Sequence, residues 1–498
     1  MGVHGLWEIL SPASEVSVPL TTLRGQTVAV DLSAWIMEFT GVAAPPGKHY
    51  LMNRSLFYRT TSLLGMGVKL VFVLDGRAPD IKEAALLDRQ EAQTGSTASV
   101  NLDRPGLKVA NSQCVEMLRC LGVPCIQSPG EAEAMCAYLN KAGLVNGCFT
   151  EDGDFFLYGG KTLYKNIQKN GKTYMADKYT DVSIDNKLGL GQNDLLALGL
   201  LLGCDYDKEG VRGVGTKKGL DLVKHFKDKG LDALDRLKGW AANKTLDELE
   251  QRLATPVKAN SHCTLCSHLG KSTSHTRLGC TVCETDTGCQ PGSKLCPCQA
   301  CLNKLIEHEN KLELTIRRKA LDMKPAFPNM KIVQEFTMGT RTCMVTSSAL
   351  ELSNVHFENL IKCLNSTLRW DRAEALKNIV PFLIQYEMHR NGNEGKMFSP
   401  TRIVGKCKDN HTSCLEVEWD KTDVNTWAGE SHATGVKVKV TRELLTLRYP
   451  ALVEKYEEDQ VKRPPKGSRK GKITAEIPGQ TTLHQFFAIK KKKLDFSS

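Results

Sequence analysis

No stretch of the chain is apolar over the length that a membrane-spanning helix needs. The first residues also lack the order of a secretory leader, basic and then apolar. The expectation is a soluble, intracellular protein. Its eighteen cysteines then read as reduced thiols and metal ligands, not as a disulfide framework. Net charge is missing from most of the chain as well. The formal charge is +10, but Val461–Ser498 holds ten Lys/Arg against Glu476 and Asp495, a net of +8, which leaves about +2 for everything before it. The basicity therefore marks a tail and does not argue that the rest binds nucleic acid. A length of 498 residues allows two or more domains.

What is present is carboxylate in tight pairs. Ser128–Asp154, SPGEAEAMCAYLNKAGLVNGCFTEDGD, places Glu131 and Glu133 at the opening of a helix. Asp152 and Asp154 follow a strand-like run, Val145–Thr150. Either pair alone has a plain structural reading. Ser128-Pro129-Gly130-Glu131 fits a capping box, and Asp152-Gly153-Asp154 fits a turn. Together, an αβ crossover can set one pair beside the other at the end of a sheet. Carboxylates held that close repel unless protons or cations compensate them. Magnesium suits such a site, and two ions suit phosphodiester cleavage.

Two earlier acids repeat the placement. Asp31 ends the apolar strand Thr27–Leu32, and Asp75 follows Lys69–Leu74. Open α/β sheets bind their ligands at such strand ends. Thr40–His49 reads as a loop, Ile81–Gln93 as a helix carrying Lys82 and Arg89, and Leu107–Leu121 as a further helix. Residues 193–206 hold an apolar helix ending near Gly203, and Asp205 follows at once. Gly213 and Gly215 then open an amphipathic helix beside Lys217 and Lys218. Glycines at a helix start let N–H groups approach a phosphate, here in a contact blind to sequence.

Eight cysteines fall within residues 263–301, with His262, His268 and His275 nearby. Cys263-x-x-Cys266 and Cys280-x-x-Cys283 are spaced as one tetrahedral zinc site; Cys289, Cys296, Cys298 and Cys301 are a less regular second set. Residues 302–390 read as helical. Thr401–Lys406, Cys414–Trp419 and Gly435–Val440 alternate like strands, and Arg442–Tyr456 reads as a helix. Val461–Gly479 has no core-forming pattern. Gln480 then leads an apolar plug of Leu483, Phe486 and Phe487 suited to a groove, ahead of Lys490–Lys493.

The segments MGVHGLWEIL, TVAVDLS, VFVLDG, SPGEAEAMCAYLNKAGLVNGCFTEDGDFFLYG and LLGCDYDKEGVRGVGTKKG together resemble the XPG/flap endonuclease (Rad2) superfamily across residues 1–240, in the family's order. Within it the chain is most similar to Gen-type Holliday junction resolvases. The cysteine insert, LTIRRKALDMKPAFPN, and the module from RIVGK through LEVEWDK to LRYPALVEKY extend the likeness to about residue 458. The resemblance implies an α/β, PIN-like (5′-nuclease) core with a helix–two-turn–helix, followed by a small chromodomain-like β+α module. The organisation it implies is an N-terminal nuclease region at 1–95, an arch or linker at 96–120, an internal nuclease region at 121–240, a Cys-rich insert at 241–301, a helical region at 302–395, the chromodomain-like module at 396–458 and a basic tail at 459–498.

The same resemblance places the family's metal-binding acids on Asp31, Asp75, Glu131, Glu133, Asp152, Asp154 and Asp205, all carboxylates here. Gly2 matches its N-terminal glycine beside the active site, Lys82 and Arg89 its basic gateway helix, and Gly213 and Gly215 its DNA-clasping turn, where relatives hold K⁺. Only 55 residues separate Asp75 from Glu131, which excludes the long spacer of the XPG repair nucleases. The expected activity is two-Mg²⁺ hydrolysis, with Mn²⁺ able to substitute, of four-way junctions and 5′ flaps. The expected state is a monomer in solution that pairs on junctions, and the expected location is the nucleus. The tail resembles a PCNA-binding peptide, which keeps a clamp-linked flap endonuclease as an alternative. A non-catalytic scaffold for branched DNA is a further one.

Overall fold

The computed structural model describes residues 2–40, 49–77, 79–82, 105–171, 173–255, 261–291, 294–338, 345–389, 397–409, 412–421 and 435–462. Arg89, Trp427 and the tail residues Gln480, Leu483, Phe486 and Phe487 lie outside them.

A seven-stranded sheet positions everything else. Its strands are β1 (Glu15–Pro19), β2 (Thr27–Asp31), β3 (Lys69–Leu74), β4 (Cys125–Gln127), β5 (Gly147–Phe149), β6 (Thr162–Asn170) and β7 (Thr173–Thr180), in the order β1-β7-β6-β5-β2-β3-β4. The pairs β4–β3, β3–β2, β2–β5 and β5–β6 are parallel; β7 and β1 are antiparallel additions at one edge. The continuous apolar runs of β2 and β3 explain their central place. Val28, Ala29, Val30, Leu70, Val71, Phe72 and Val73 are all fully buried, as strands covered on both faces must be. From β2 the chain builds to one side through β3 and β4, then returns to the other side through β5 and β6. The gap between β2 and β5 is therefore the topological switch point, where sheets of this kind bind ligands.

Helices cover both faces. α1 (Leu6–Leu10), α2 (Leu32–Thr40), α3 (His49–Gly65), α4 (Pro105–Cys120), α5 (Ala132–Lys141) and α6 (Asp154–Leu157) alternate with the strands. Trp35 of α2 packs edge-on to Phe72 and tilted against Phe149, which locks α2 to the sheet. After β7 come α7 (Asp181–Leu188), α8 (Gln192–Leu202), α9 (Thr216–Asp228), α10 (Ala233–Gly239) and α11 (Lys244–Ala254). The Cys-rich stretch holds only the short α12 (Ser272–Leu278), and the long α13 (Gln299–Met323) follows. Then come α14 (Met330–Met338), α15 (Phe357–Leu368) and α16 (Arg372–His389).

A three-stranded antiparallel sheet of β8 (Phe398–Asp409), β9 (Thr412–Lys421) and β10 (Val436–Thr441) comes next, ordered β10-β9-β8. Trp419 is buried in it, so its ring serves the core and not an open aromatic cage. The single helix expected over Arg442–Tyr456 is two helices, α17 (Arg442–Arg448) and α18 (Pro450–Lys462). The proline disfavours helical backbone at Tyr449 and has no N–H to continue the ladder. A second unit begins at Thr446, and α18 is its main described element.

Candidate active site

The expected acids reach the switch point from several elements, Glu131 and Glu133 together from the start of α5 and Asp152 and Asp154 together from the segment after β5. Asp31 is the last residue of β2, and its Oδ1 accepts the Ala34 N–H at 3.0 Å, capping α2. Asp75 follows β3. Its Oδ1 accepts the Ala132 N–H at 2.8 Å, and its Oδ2 accepts the Ser33 hydroxyl. Asp75 therefore caps α5 from another strand. The capping box read from Ser128 does not form: α5 starts at Ala132 with Glu131 as its cap residue, and the Ser128 hydroxyl donates to the Glu131 carbonyl instead. The helix start thus releases the Glu131 and Glu133 side chains and takes its capping oxygen from a third acid.

Asp31, Asp75, Glu131, Glu133, Asp152 and Asp205 line one cleft of about 550 Å³, together with Lys82, Ser33, Glu151 and Gln168. Asp154 is buried at its wall, and its Oδ1 accepts the Val3 N–H at 2.8 Å. Gly2 lies against the same acids. Its N–H donates to Asp205 Oδ1 at 3.1 Å, its φ is +86°, and a Cβ there would run into Asp152 Oδ1 and Asp154 Oδ1. Glycine is required at this position both by conformation and by space.

The electrostatics of the cleft are those of a cation site. Burial, then Asp75, raises Asp31 from 3.8 to about 7. Burial, then Asp152 and Asp154, pushes Glu133 well above the usual carboxylate range, and Glu133 Oε1 has no hydrogen-bond partner. Asp152 and Asp154 are raised as well, burial again being the first cause. Asp205 is the exception. Burial pushes it up, but Lys82 and the Gly2 N–H outweigh burial and hold it below its ordinary value. Lys82 Nζ bridges Glu131 and Asp205, at 3.3 Å from Asp205 Oδ2. Burial lowers its pKa, and the two carboxylates more than reverse that, so it remains an ammonium. One described cation cannot neutralise seven acids; hard divalent cations held by oxygen would.

Sequence reasoning missed the aromatic hydroxyls. Tyr206 donates to Glu131 Oε2 at 2.7 Å, and Tyr158 hydrogen-bonds Tyr206 in turn. Burial, then Glu131, raises Tyr206, so its proton stays in place. Phe336 of α14 packs on both rings. The only signal in the sequence was the adjacency of Tyr206 to Asp205.

The glycine turn lies between α8 and α9. Gly213 has φ +78°, Gly215 is the cap residue of α9, and Lys217 and Lys218 are exposed. Lys218 Nζ reaches the Gly213 carbonyl at 3.4 Å. Lys227 pairs with Asp194 at 2.9 Å and ties α9 to α8. The four cysteines expected to share one ion do not form one group. Cys263 gathers with Cys266, His275 and Cys289, while Cys280 and Cys283 gather with Cys266 and His268. The first CxxC stays together in the first set, Cys266 also reaches the second CxxC, and a histidine completes each set.

Residues 1–96 match the XPG N-terminal domain and residues 122–205 the XPG I-region. The chain is 35% identical to human "Flap endonuclease GEN homolog 1" over 93% of its own length and 51% of that protein's. It is 32% identical to Arabidopsis thaliana "Flap endonuclease GEN-like 1" over 77% of its length and 67% of that protein's. Its fold matches human GEN1 in complex with Holliday junction DNA, with a TM-score of 0.66 and 29% identity, over 93% of this chain and 98% of that one. The chain belongs to the XPG family, in its GEN branch. It spans about half the length of its human and mouse relatives.

Proposed function

We propose that the protein is a divalent-metal-dependent, structure-specific DNA endonuclease that resolves four-way junctions and cuts 5′ flaps. The observation that carries this reading is the meeting of Asp31, Asp75, Glu131, Glu133, Asp152 and Asp205 in one cleft, with Asp154 at its wall. The unpartnered Glu133 oxygen and the raised acids fit divalent ions, Mg²⁺ with Mn²⁺ able to substitute, and the seven carboxylates would hold two. When bound, such ions supply an activated water and stabilise the leaving 3′ oxygen.

The chain's own residues do the rest. Lys82 holds Glu131 and Asp205 in place and puts positive charge at the cleft, where phosphoryl oxygens would develop negative charge. Tyr206 and Tyr158 fix the orientation of Glu131. The Gly213–Gly215 turn, with Lys217 and Lys218, would grip one duplex arm by its phosphates. Recognition is then of shape, because such contacts carry no base information. K⁺ at that turn, pairing of two chains on a junction, nuclear location and clamp binding by Gln480–Phe487 belong to the same reading. The human relative's junction complex supports the substrate class.

The test is cleavage of a four-way junction with each strand labelled in turn, beside a 5′ flap. Paired, symmetric nicks on opposite strands are expected, and they are expected to vanish in Asp152→Asn/Asp154→Asn while junction binding persists. Full cleavage by that double variant would end the assignment.

A further inference from the structure

Residues 261–301 have almost no apolar core. Leu265, Leu269, Leu278 and Leu295 are between 48% and 74% exposed, and before α13 the described residues of the stretch hold one seven-residue helix and two isolated bridges at the cysteine turns. Yet Cys263, Cys266, Cys280, Cys296, His268 and His275 are buried. A segment this short that buries polar ligands and exposes its leucines needs another source of stability, and metal binding is the usual one.

The side chains sort into three groups of four. His262, Cys296, Cys298 and Cys301 form one; Cys263, Cys266, His275 and Cys289 a second; Cys266, His268, Cys280 and Cys283 a third. In each, all four ligand atoms lie within 4.8 Å of one another. The closest contacts within the groups run from 3.3 Å (Cys266 Sγ to His275 Nδ1, Cys283 Sγ to His268 Nδ1, Cys298 Sγ to His262 Nε2) to 3.5 Å (Cys263 Sγ to Cys289 Sγ). The edges of a tetrahedron around zinc, from Zn–S and Zn–N bond lengths, are about 3.5–3.8 Å. A disulfide would bring two sulfurs to about 2.05 Å, and all eight cysteines are free thiols.

The histidines are oriented as ligands. His268 and His275 each turn Nδ1 to cysteine sulfur and Nε2 to a backbone carbonyl, of Lys294 at 2.8 Å and of Leu269 at 3.0 Å. Donation from Nε2 to a carbonyl leaves the Nδ1 lone pair for a metal, the usual second partner of a ligating histidine. Both CxxC turns also end on a left-handed residue, Ser267 (φ +60°) and Glu284 (φ +58°), so the two loops are built alike.

Three tetrahedral sites need about twelve ligand positions. The three groups contain eleven different side chains, and the residue counted twice is Cys266. We propose that residues 261–301 fold around three zinc ions, two of them sharing the Cys266 thiolate and the third held by His262, Cys296, Cys298 and Cys301. Thiolate with imidazole in four-coordinate sets selects zinc over the hard ions of the catalytic cleft.

The third site has a structural consequence. Cys298 is the cap residue of α13, and its sulfur accepts the Cys301 N–H. None of residues 299–312 is fully buried; apart from Leu312, half-buried against the core at its end, that half of α13 meets its neighbours through surface hydrogen bonds such as Asn303 with Arg252 and Asn310 with Lys229. A helical stretch of that length is marginal without support, so the ion at its start would hold it.

The test is elemental analysis with native mass spectrometry of the full chain purified without chelator. Three zinc ions per chain are expected, one in Cys266→Ala and two in Cys301→Ala. Fewer than three in the wild type, or the loss of a single ion in Cys266→Ala, overturns the shared thiolate. Two wild-type measurements stand if a variant fails to fold. The eight thiols should resist alkylation until a strong chelator is added, and chelation should raise amide exchange across 299–312. Prompt alkylation of all eight overturns the cluster, and unchanged exchange overturns its role in ordering α13.

Discussion

At the scale of single residues, the acidic cleft stores repulsion. The folded-state pKa of Asp31, about 7, lies above its ordinary 3.8. Such a group contributes stability that is fully present below the ordinary value and is lost as pH rises through the folded one. Without divalent ions, the thermal midpoint should therefore fall between about pH 4 and pH 7, and millimolar Mg²⁺ should flatten the fall. A scanning-calorimetry series with and without Mg²⁺ checks this. Glu133→Gln removes a buried charge with an unpartnered oxygen. It should abolish cleavage yet raise the metal-free midpoint by about 2 °C or more, an opposition that a simple packing defect would not produce. Lys82→Met should lower single-turnover cleavage by about 100-fold while junction affinity, read by fluorescence anisotropy, changes little.

At the scale of elements, the glycine turn and the helices behind it divide binding from support. Lys217→Ala/Lys218→Ala should weaken binding to all duplex arms alike. It should reduce the slope of log K against log salt by about 0.9 per lost phosphate contact, with saturated turnover unchanged. Behind the turn, Glu313 of α13 is fully buried, paired with Arg236 at 2.6 Å and accepting Trp240 Nε1–H at 3.0 Å. Arg236→Ala would strand that carboxylate and should cost about 3 kcal/mol, read by denaturant unfolding. Such contacts also mark the limit of what the sequence discloses. Asp31 and Asp75 were legible because each ends a run of buried β-residues at the edge where open α/β sheets bind ligands, though each also caps a helix. Glu131 was legible as an acid but not in its setting, because its helix is capped by Asp75, 57 positions away. Tyr206 and Ser33 carry no local pattern, since their partners arrive only through the sheet's crossovers. The cysteine spacing pointed to the segment where the ligand groups gather, but not to their membership: the Cys266 sulfur serves two of the groups, and histidines follow no comparable spacing.

At the scale of the molecule, the proposed activity sets one acidic cleft per chain against a junction with two strands to cut. If two chains act together, wild type mixed with Asp31→Ala should convert double cuts in a plasmid cruciform into single nicks; undiminished double cutting would exclude paired action. The acids come from β2, β3, β5 and the loops around α5 and α8, spread from position 31 to position 205 across the switch point of the sheet. No contiguous fragment shorter than that span contains them all. If these acids cut DNA as proposed, the growing polypeptide remains harmless to DNA during synthesis until the segment bearing Asp205 has left the ribosome and docked. On the same reading, proteolysis anywhere between these positions followed by loss of a piece should abolish the proposed cleavage outright, with no unregulated cutter left behind.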